Sequence, residues 1–500
     1  MLKRLLCLLT VLMLLPAACL AQEFVMAGFD GQDSAKDWNE NGFFTRMQER
    51  TGVSFTFRQY NDQAKWQQAK DAMFAEGGDL PDVLFKAALT SDELIRYTDG
   101  GQLIDLLPLL PDNAPNLWAL LQENPEWLRA ITLPNGKVGA LPMIQTVPTQ
   151  NAIWINKTWL ETLKMDPPTD MESLTKVLTA FKTRDPNQNG KEDEIPFLFM
   201  GPWELKMFSH AYGVVVNDYN IYLDDAGQVH YWPLEDSFAG FLTDMRALYQ
   251  QGLLDPNGFS TADSLRMISD EKAAVTYGAF FAPTPLYLLP LSISQQYIVL
   301  EPLRSADGAQ LYRDLKGNLS RGTFAITSAC ADPAALLRWV DVLYTEEGAI
   351  EAMAGKVDEY WSWNADGTWY WHTDEETKYR ISSGVVSITD TGEMPLLFPK
   401  AFNDAFSDKD INHITTQCDV ITPYLKAPFP AYTLTADQRA QIQPLQAALG
   451  YAVDVAIANF VLGETPINEE TLADFRATLT ENGANQLTAF WQSVADSLNP

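Results

Sequence analysis

The chain has 500 residues, 46% of them apolar, and its 35 lysines and arginines face 65 aspartates and glutamates for a formal net charge of −30. So much apolar material excludes a disordered chain, and the length calls for two lobes or more. The acidic field argues against nucleic acid or an anionic membrane as a partner.

In chain order, Lys3 and Arg4 precede an apolar run from Leu5 to Leu15, and Pro16, Ala17, Ala18, Cys19, Leu20 and Ala21 follow it. Basic, apolar and small-residue regions in that order predict an export signal over residues 1–21. The run is shorter than the about 20 residues that span a bilayer. Cys19 after Ala17-Ala18 resembles a lipoprotein attachment site, and cleavage after Ala21 competes with it. No later stretch reads as long and apolar enough to span. The expected location is therefore extracytoplasmic, in the cell envelope, with contact to the membrane only through a lipid on Cys19. Cys330 and Cys418 remain after processing, and a disulfide between them suits that compartment.

Glu23 to Phe29 reads as a strand, Phe43, Met47 and Thr51 as one face of a helix stopping near Gly52, and Val53 to Arg58 as a second strand. A helix carrying Trp66, Ala69 and Met73 follows, then a turn over 77–82 into a third strand, Val83-Leu84-Phe85. Such a βαβαβ opening implies a largely parallel sheet with helices on both faces. Asp170 caps a further helix whose apolar face holds Met171, Leu174, Val177, Leu178 and Phe181.

Where that helix ends, Asp185-Pro186-Asn187-Gln188-Asn189-Gly190-Lys191-Glu192-Asp193-Glu194 sets oxygen side chains at alternate positions and then a glycine and more acids. A hard cation takes six to eight oxygens at about 2.3–2.6 Å, and ligands at loop positions 1, 3 and 5 before a glycine at 6 wrap it. Asp185, Asn187, Asn189 and Gly190 fill those four slots. Lys191 can offer its carbonyl, and Asp193 and Glu194 can complete the shell. Pro196 stands where an EF-hand carries its glutamate, so the expectation is an EF-like loop holding structural Ca2+. The alternative is a plain Asx- and Gly-rich turn.

The C-terminal part reads as helices over Ile442–Leu462, Glu469–Leu479 and Gln486–Leu498. His210, His230, His372 and His413 lack metal-ligand spacing, which argues against a zinc hydrolase. Neither a Gly-x-Ser-x-Gly elbow nor a phosphate loop occurs. No linker separates the lobes, so the chain is expected to cross between them more than once.

Segments Gly78-Asp79-Leu80-Pro81-Asp82-Val83, Gly101-Gln102-Leu103-Ile104-Asp105-Leu106, Gly136-Lys137-Val138-Gly139-Ala140-Leu141-Pro142 and Ile155-Asn156-Lys157-Thr158-Trp159-Leu160 carry a resemblance. It continues through Lys272-Ala273-Ala274-Val275, Gly322-Thr323-Phe324-Ala325-Ile326 and Leu343-Tyr344-Thr345-Glu346-Glu347-Gly348. In this order the chain resembles the family 1 extracellular solute-binding proteins of ABC transporters. With the calcium loop it is most similar to the large carbohydrate-binding branch that includes alginate-binding proteins. The resemblance implies an α/β, two-lobed periplasmic-binding-protein fold with hinge crossings near Thr149, Val299 and Gly355. Lobe one would comprise 23–150 plus 300–355, and lobe two 152–299 plus 356–500. It further implies a monomer that captures an oligosaccharide and hands it to membrane permease subunits.

Sugars present flat apolar faces ringed by hydroxyls, so a saccharide cleft needs aromatic platforms with carboxylates, amides and cations between them. The candidates are Trp203 beyond the calcium loop; Tyr277, Phe280 and Phe281; and Tyr360, Trp361 and Trp363. Lobe one would add Asp30, Gln32 and Asp33 after the first strand and Lys86 after the third. Trp369-Tyr370-Trp371 reads equally as one arm of a packed β-hairpin turning at Asp366-Gly367. Two rival readings are an extracellular polysaccharide-degrading enzyme, which would need two carboxylates facing across the cleft, and a binder of peptides or phospho-sugars with the same architecture.

Overall fold

The computed structural model describes residues 22–34, 36–145, 150–260, 275–315, 319–382, 386, 388, 393–408 and 417–498. The signal segment with Cys19, the crossing at Thr149, Lys272-Ala273-Ala274 and the side chain of Cys418 with its expected disulfide lie outside them. Cys330 is half-buried, and burial pushes its thiol up to about 11.

The first strands are β1 (Gln22–Phe29), β2 (Val53–Tyr60) and β3 (Val83–Phe85), followed by β4 (Leu141–Met143), β5 (Ala152–Asn156) and β6 (Ile195–Leu198). A short hairpin, β7 (Ile221–Leu223) with β8 (Val229–Tyr231), precedes β9 (Tyr277–Ala282) and β10 (Tyr297–Val299). Next come β11 (Tyr312–Arg313), β12 (Ser320–Ile326), β13 (Trp361–Trp363), β14 (Trp369–Trp371) and β15 (Leu425–Lys426).

Two main sheets result, ordered β2-β1-β3-β12-β4 and β10-β5-β9-β6. The βαβαβ opening forms as expected: β1 runs parallel to β2, with Phe24 opposite Phe55, and to β3, with Ala27 opposite Leu84. The helix Gly42–Thr51 stops at Gly52, whose φ of 73° suits a residue without a Cβ. The expectation of a largely parallel arrangement is corrected further along. β12 runs antiparallel to both β3 and β4, and in the second sheet β5 is antiparallel to β9 and β10 while β6 alone lies parallel to β9. The pairing of Phe324 with Phe85 puts the start of β12 at the end where β3 finishes, so β12 must run back across the sheet.

Each sheet has its own core. Around the first, the rings of Trp38, Phe44, Phe85 and Trp339 pack edge to face and stacked at 5.6–6.3 Å between centroids. Ile388, Met394 and Leu396 join this core, far along the chain from the strands they cover. The second core gathers Trp159, Phe181, Phe197, Trp232 and Phe281, and is closed by the C-terminal helices Ala436–Leu462, Glu469–Glu481 and Ala484–Leu498.

Ala436–Leu462 corrects one sequence reading, because it is long and apolar enough to cross a membrane. It turns Ile442, Leu449, Val453, Ile457, Phe460 and Val461 into the second core, and its apolar content is explained by that packing.

Candidate functional site

The acidic loop sits between the helix Met171–Thr183, which Asp170 caps by accepting the Ser173 N–H at 2.7 Å, and β6. Asp185, Gln188 and Gly190 all take positive φ, 42°, 57° and 72°, which coils the segment on itself. The Asp185 carboxylate accepts the N–H of Asn189 at 3.1 Å and of Gly190 at 3.0 Å. The Asn189 amide donates to both oxygens of Asp193, at 3.0 and 3.2 Å, and Asn187 reaches Asp193 at 3.3 Å. The side chains of positions 1, 3, 5 and 9 therefore converge, and Lys191 points its ammonium outward. Glu194 Oε1 is buried with no hydrogen-bond partner, and burial first, then the charges of Asp193 and Asp185, hold its carboxyl above the ordinary value. An orphaned carboxylate oxygen among converging acids fits a calcium ion, whose charge would relieve the repulsion. Among the described residues no group of three or more His, Cys, Asp or Glu side chains forms a metal cluster. The amides of Asn187 and Asn189 and the Lys191 carbonyl would have to supply the remaining oxygens.

β6 leads directly from that loop to an exposed aromatic, Trp203. Gly201 adopts φ 96°, its N–H donates to the Gly258 carbonyl at 2.7 Å, and Pro202 opens a short helix. Glu204 is buried and accepts the Met200 N–H at 2.7 Å, and burial pushes its carboxyl up to about 7. This turn holds Trp203 outward, 46% exposed, over a cavity of about 360 Å³. Gln150, His210, Asn217, Pro283 and Tyr312 share the lining. His210 Nδ1 donates to the Met207 carbonyl at 2.8 Å, and Nε2 is buried with no hydrogen-bond partner. Burial holds the imidazole neutral by lowering it to about 4. The bond on Nδ1 leaves Nε2 as an acceptor. Sequence reasoning passed over His210, Asn217 and Tyr312, because they sit on separate elements with no shared motif.

Asp30 and Lys86 do meet, as expected from their places after β1 and β3, but they meet each other. Both side chains are fully buried, with Lys86 Nζ donating to Asp30 Oδ1 at 2.7 Å and to the Ile388 carbonyl at 2.8 Å. Ser34 donates to the other Asp30 oxygen at 2.6 Å. Burial lowers Lys86 and takes the neighbouring Lys36 to about 8, with the Lys86 charge adding to the effect. Lys86 as a direct ligand contact is thus corrected: a buried ammonium needs its carboxylate, and Asp30 supplies it. Gln32 and Asp33 remain exposed, joined by a 2.9 Å hydrogen bond, and Asp33 (φ 59°), Lys86 (φ 52°) and Ala88 (φ 48°) carry backbone strain of the kind that collects at functional sites.

The other aromatic candidates lie elsewhere. Tyr277, Phe280 and Phe281 are buried in β9, Phe281 edge to face with Phe197 and Phe208, so they have no open face for a sugar. Tyr360 and Trp361 are also core, around Phe402, and Trp361 Nε1 donates to the Gly355 carbonyl at 3.0 Å. β13 and β14 form the alternative hairpin, with Trp361 opposite Trp371 and Gly367 at φ 85°. Trp363 is 48% exposed, but it borders an open groove with Arg46 and Glu351 and takes no part in the cavity under Trp203.

No protein-family profile matches the chain. It is 28% identical over 325 residues to the fructooligosaccharide ABC transporter substrate-binding protein FusA of Streptococcus pneumoniae, a match covering 62% of this chain and 59% of that protein. FusA in complex with kestose superposes with a TM-score of 0.67 at 21% identity, over 95% of this chain and 99% of FusA, and an EF-hand mutant of FusA in complex with fructo-nystose gives 0.66. An extracellular solute-binding protein of Bifidobacterium longum subsp. infantis reaches 0.76 at 20% identity over 96% and 99% of the two chains. Alginate-binding protein AlgQ2 without calcium ion gives 0.62 at 18% identity over 95% and 98%. The two sheets with their separate cores are thus the fold that these solved solute-binding proteins share.

Proposed function

We propose that this protein is the extracytoplasmic substrate-binding component of an ABC importer, a non-catalytic receptor that captures an oligosaccharide between two lobes and delivers it to permease subunits. The observation that carries the reading is Trp203, half-exposed on a braced turn over a cavity with hydroxyl, amide and imidazole groups around it. An aromatic face with polar groups beside it is what a pyranose or furanose ring stacks on. The relatives' ligands, kestose and fructo-nystose, support a saccharide. Lobe one is assigned to the first sheet and its core, including Ile388, Met394 and Leu396, and lobe two to the second sheet with the C-terminal helices. Asp185, Asn187, Asn189, Asp193, Glu194 and the Lys191 carbonyl would hold a structural Ca2+, which cross-links the loop by charge. Residues 1–21 would direct export, with Cys19 as the site of any lipid anchor.

A thermal-shift screen of the mature protein in calcium against oligosaccharides of two to six units tests the reading. A ligand at a hundred times its dissociation constant adds about 2.7 kcal/mol, a shift of roughly 2–5 °C for lobes of this size. Recovery of unmodified sugar after such a shift is the expected result. Release of reducing ends would overturn the non-catalytic assignment, and no shift with any sugar would overturn the saccharide.

A further inference from the structure

A second cavity, of about 510 Å³, adjoins the one under Trp203, and Asn217, Asp218, Arg313 and Leu315 line both. The two are therefore one continuous groove. Its far end is walled by elements of both halves of the molecule. Arg129 comes from the helix Pro125–Ile131 and Arg321 from the start of β12, while Lys426, Phe429 and Tyr432 come from the segment that β15 begins.

The charges there do not cancel in pairs. Arg313 is bonded to Asp218 at 2.7 Å and Lys426 to Asp225 at 2.9 Å. Glu126 and Asp314 line the same wall. Arg321 donates to the Thr433 hydroxyl and to no carboxylate among the described residues. Burial first, and then the neighbouring Arg439 cation, itself bonded to Asp92, push the Arg321 guanidinium below its ordinary value. In a chain with 65 acids for 35 bases, a partly buried arginine would readily find a carboxylate partner. Arg321 and Arg129 both line this end of the groove, and among the described residues neither is bonded to a carboxylate.

We propose that this end of the groove binds a carboxylate carried by the saccharide, so that the protein selects acidic oligosaccharides, with Arg321 as the main specificity-determining residue and Arg129, which lines the same end, assisting. A planar guanidinium meets a carboxylate through two parallel hydrogen bonds, which a neutral hydroxymethyl group at the same ring position cannot reproduce. One ring would stack on Trp203, in the first cavity, while the carboxylate-bearing unit occupies the second. This inference rests on the saccharide reading above and specifies its ligand class.

Isothermal titration of the mature, calcium-loaded protein with a matched pair tests it: a neutral oligosaccharide and the same oligosaccharide with its terminal hydroxymethyl oxidised to a uronate. The acidic form is expected to bind roughly ten- to hundredfold tighter, the range that hydrogen bonds to a charged group provide, with the margin shrinking as salt is raised. R321Q should bring the two ligands to parity, R321K should keep part of the margin, and R129Q should reduce it. Arg129 is exposed, so R129Q tests the subsite even if R321Q folds poorly. Equal or tighter binding of the neutral sugar by the unaltered protein, or an acidic preference that survives both R321Q and R129Q, would overturn the proposal and leave the saccharide reading intact. Binding of neither sugar would overturn both.

Discussion

Glu204 shows how one residue can hold the platform at a cost in stability. Its buried carboxyl accepts the Met200 N–H and is pushed up to about 7 by burial. Because the folded state holds the proton to higher pH than the unfolded chain does, stability falls as pH rises from about 4.5 to about 7, and the penalty persists above that. Glu204→Gln keeps an acceptor for Met200 and removes the charge. It should raise the melting temperature at pH 8 by an amount equivalent to about 1–3 kcal/mol and change it little at pH 4.5; equal effects at the two pH values would refute the burial argument. The Asp30–Lys86 pair behaves oppositely. Asp30→Asn leaves Lys86 and Lys36 buried without their carboxylate and should cost about 3–5 kcal/mol in urea unfolding. A loss below about 1 kcal/mol would mean that water already reaches the pair. Neither effect is legible in the sequence, where Asp30 and Lys86 look like exposed ligand contacts. Burial depends on Ile388, about 300 positions away from Lys86, closing over them.

At the scale of elements, local chemistry was easier to read. Asp170 before a helix, Gly52 after one, and the Asp-x-Asn-x-Asn-Gly spacing each act through neighbours within a few residues, and each appears where the pattern puts it. The loop also predicts its own test. Removing calcium with a chelator should leave Asp185, Asp193 and Glu194 repelling one another and lower the melting temperature by roughly 2–4 °C. Asp185→Asn with Asp193→Asn should make melting indifferent to chelator. Unchanged melting of the unaltered protein in chelator would remove the ion from the account. The aromatic segments were harder. Tyr277-Gly278-Ala279-Phe280-Phe281 and Tyr360-Trp361-Ser362-Trp363 read alike, as runs able to supply either platforms or core, and periodicity does not say which face meets another layer. Phe280 and Phe281 both became core because β9 lies inside the second sheet, paired on both sides, with cores on both faces.

For the whole molecule, the groove is lined by residues of both halves. Ligand contacts to both walls would favour a closed arrangement, so a bound oligosaccharide should reduce the radius of gyration measured by small-angle scattering, while Trp203→Ala should abolish the change at the same sugar concentration. A saccharide that binds tightly with no compaction would confine the site to one lobe. Net charge, the opening βαβαβ unit, the caps, the acidic loop and the helical C-terminus were all available from the residues alone, because each depends on composition or on contacts close along the chain. Strand order, the reversed direction of β12, the burial of Lys86, and the placing of Arg129 and Arg321 on one cavity were not. They depend on segments nearly 200 to 300 residues apart arriving at one place, and long-range packing, with no trace in local periodicity, determines which side chains are buried and which are left facing the groove.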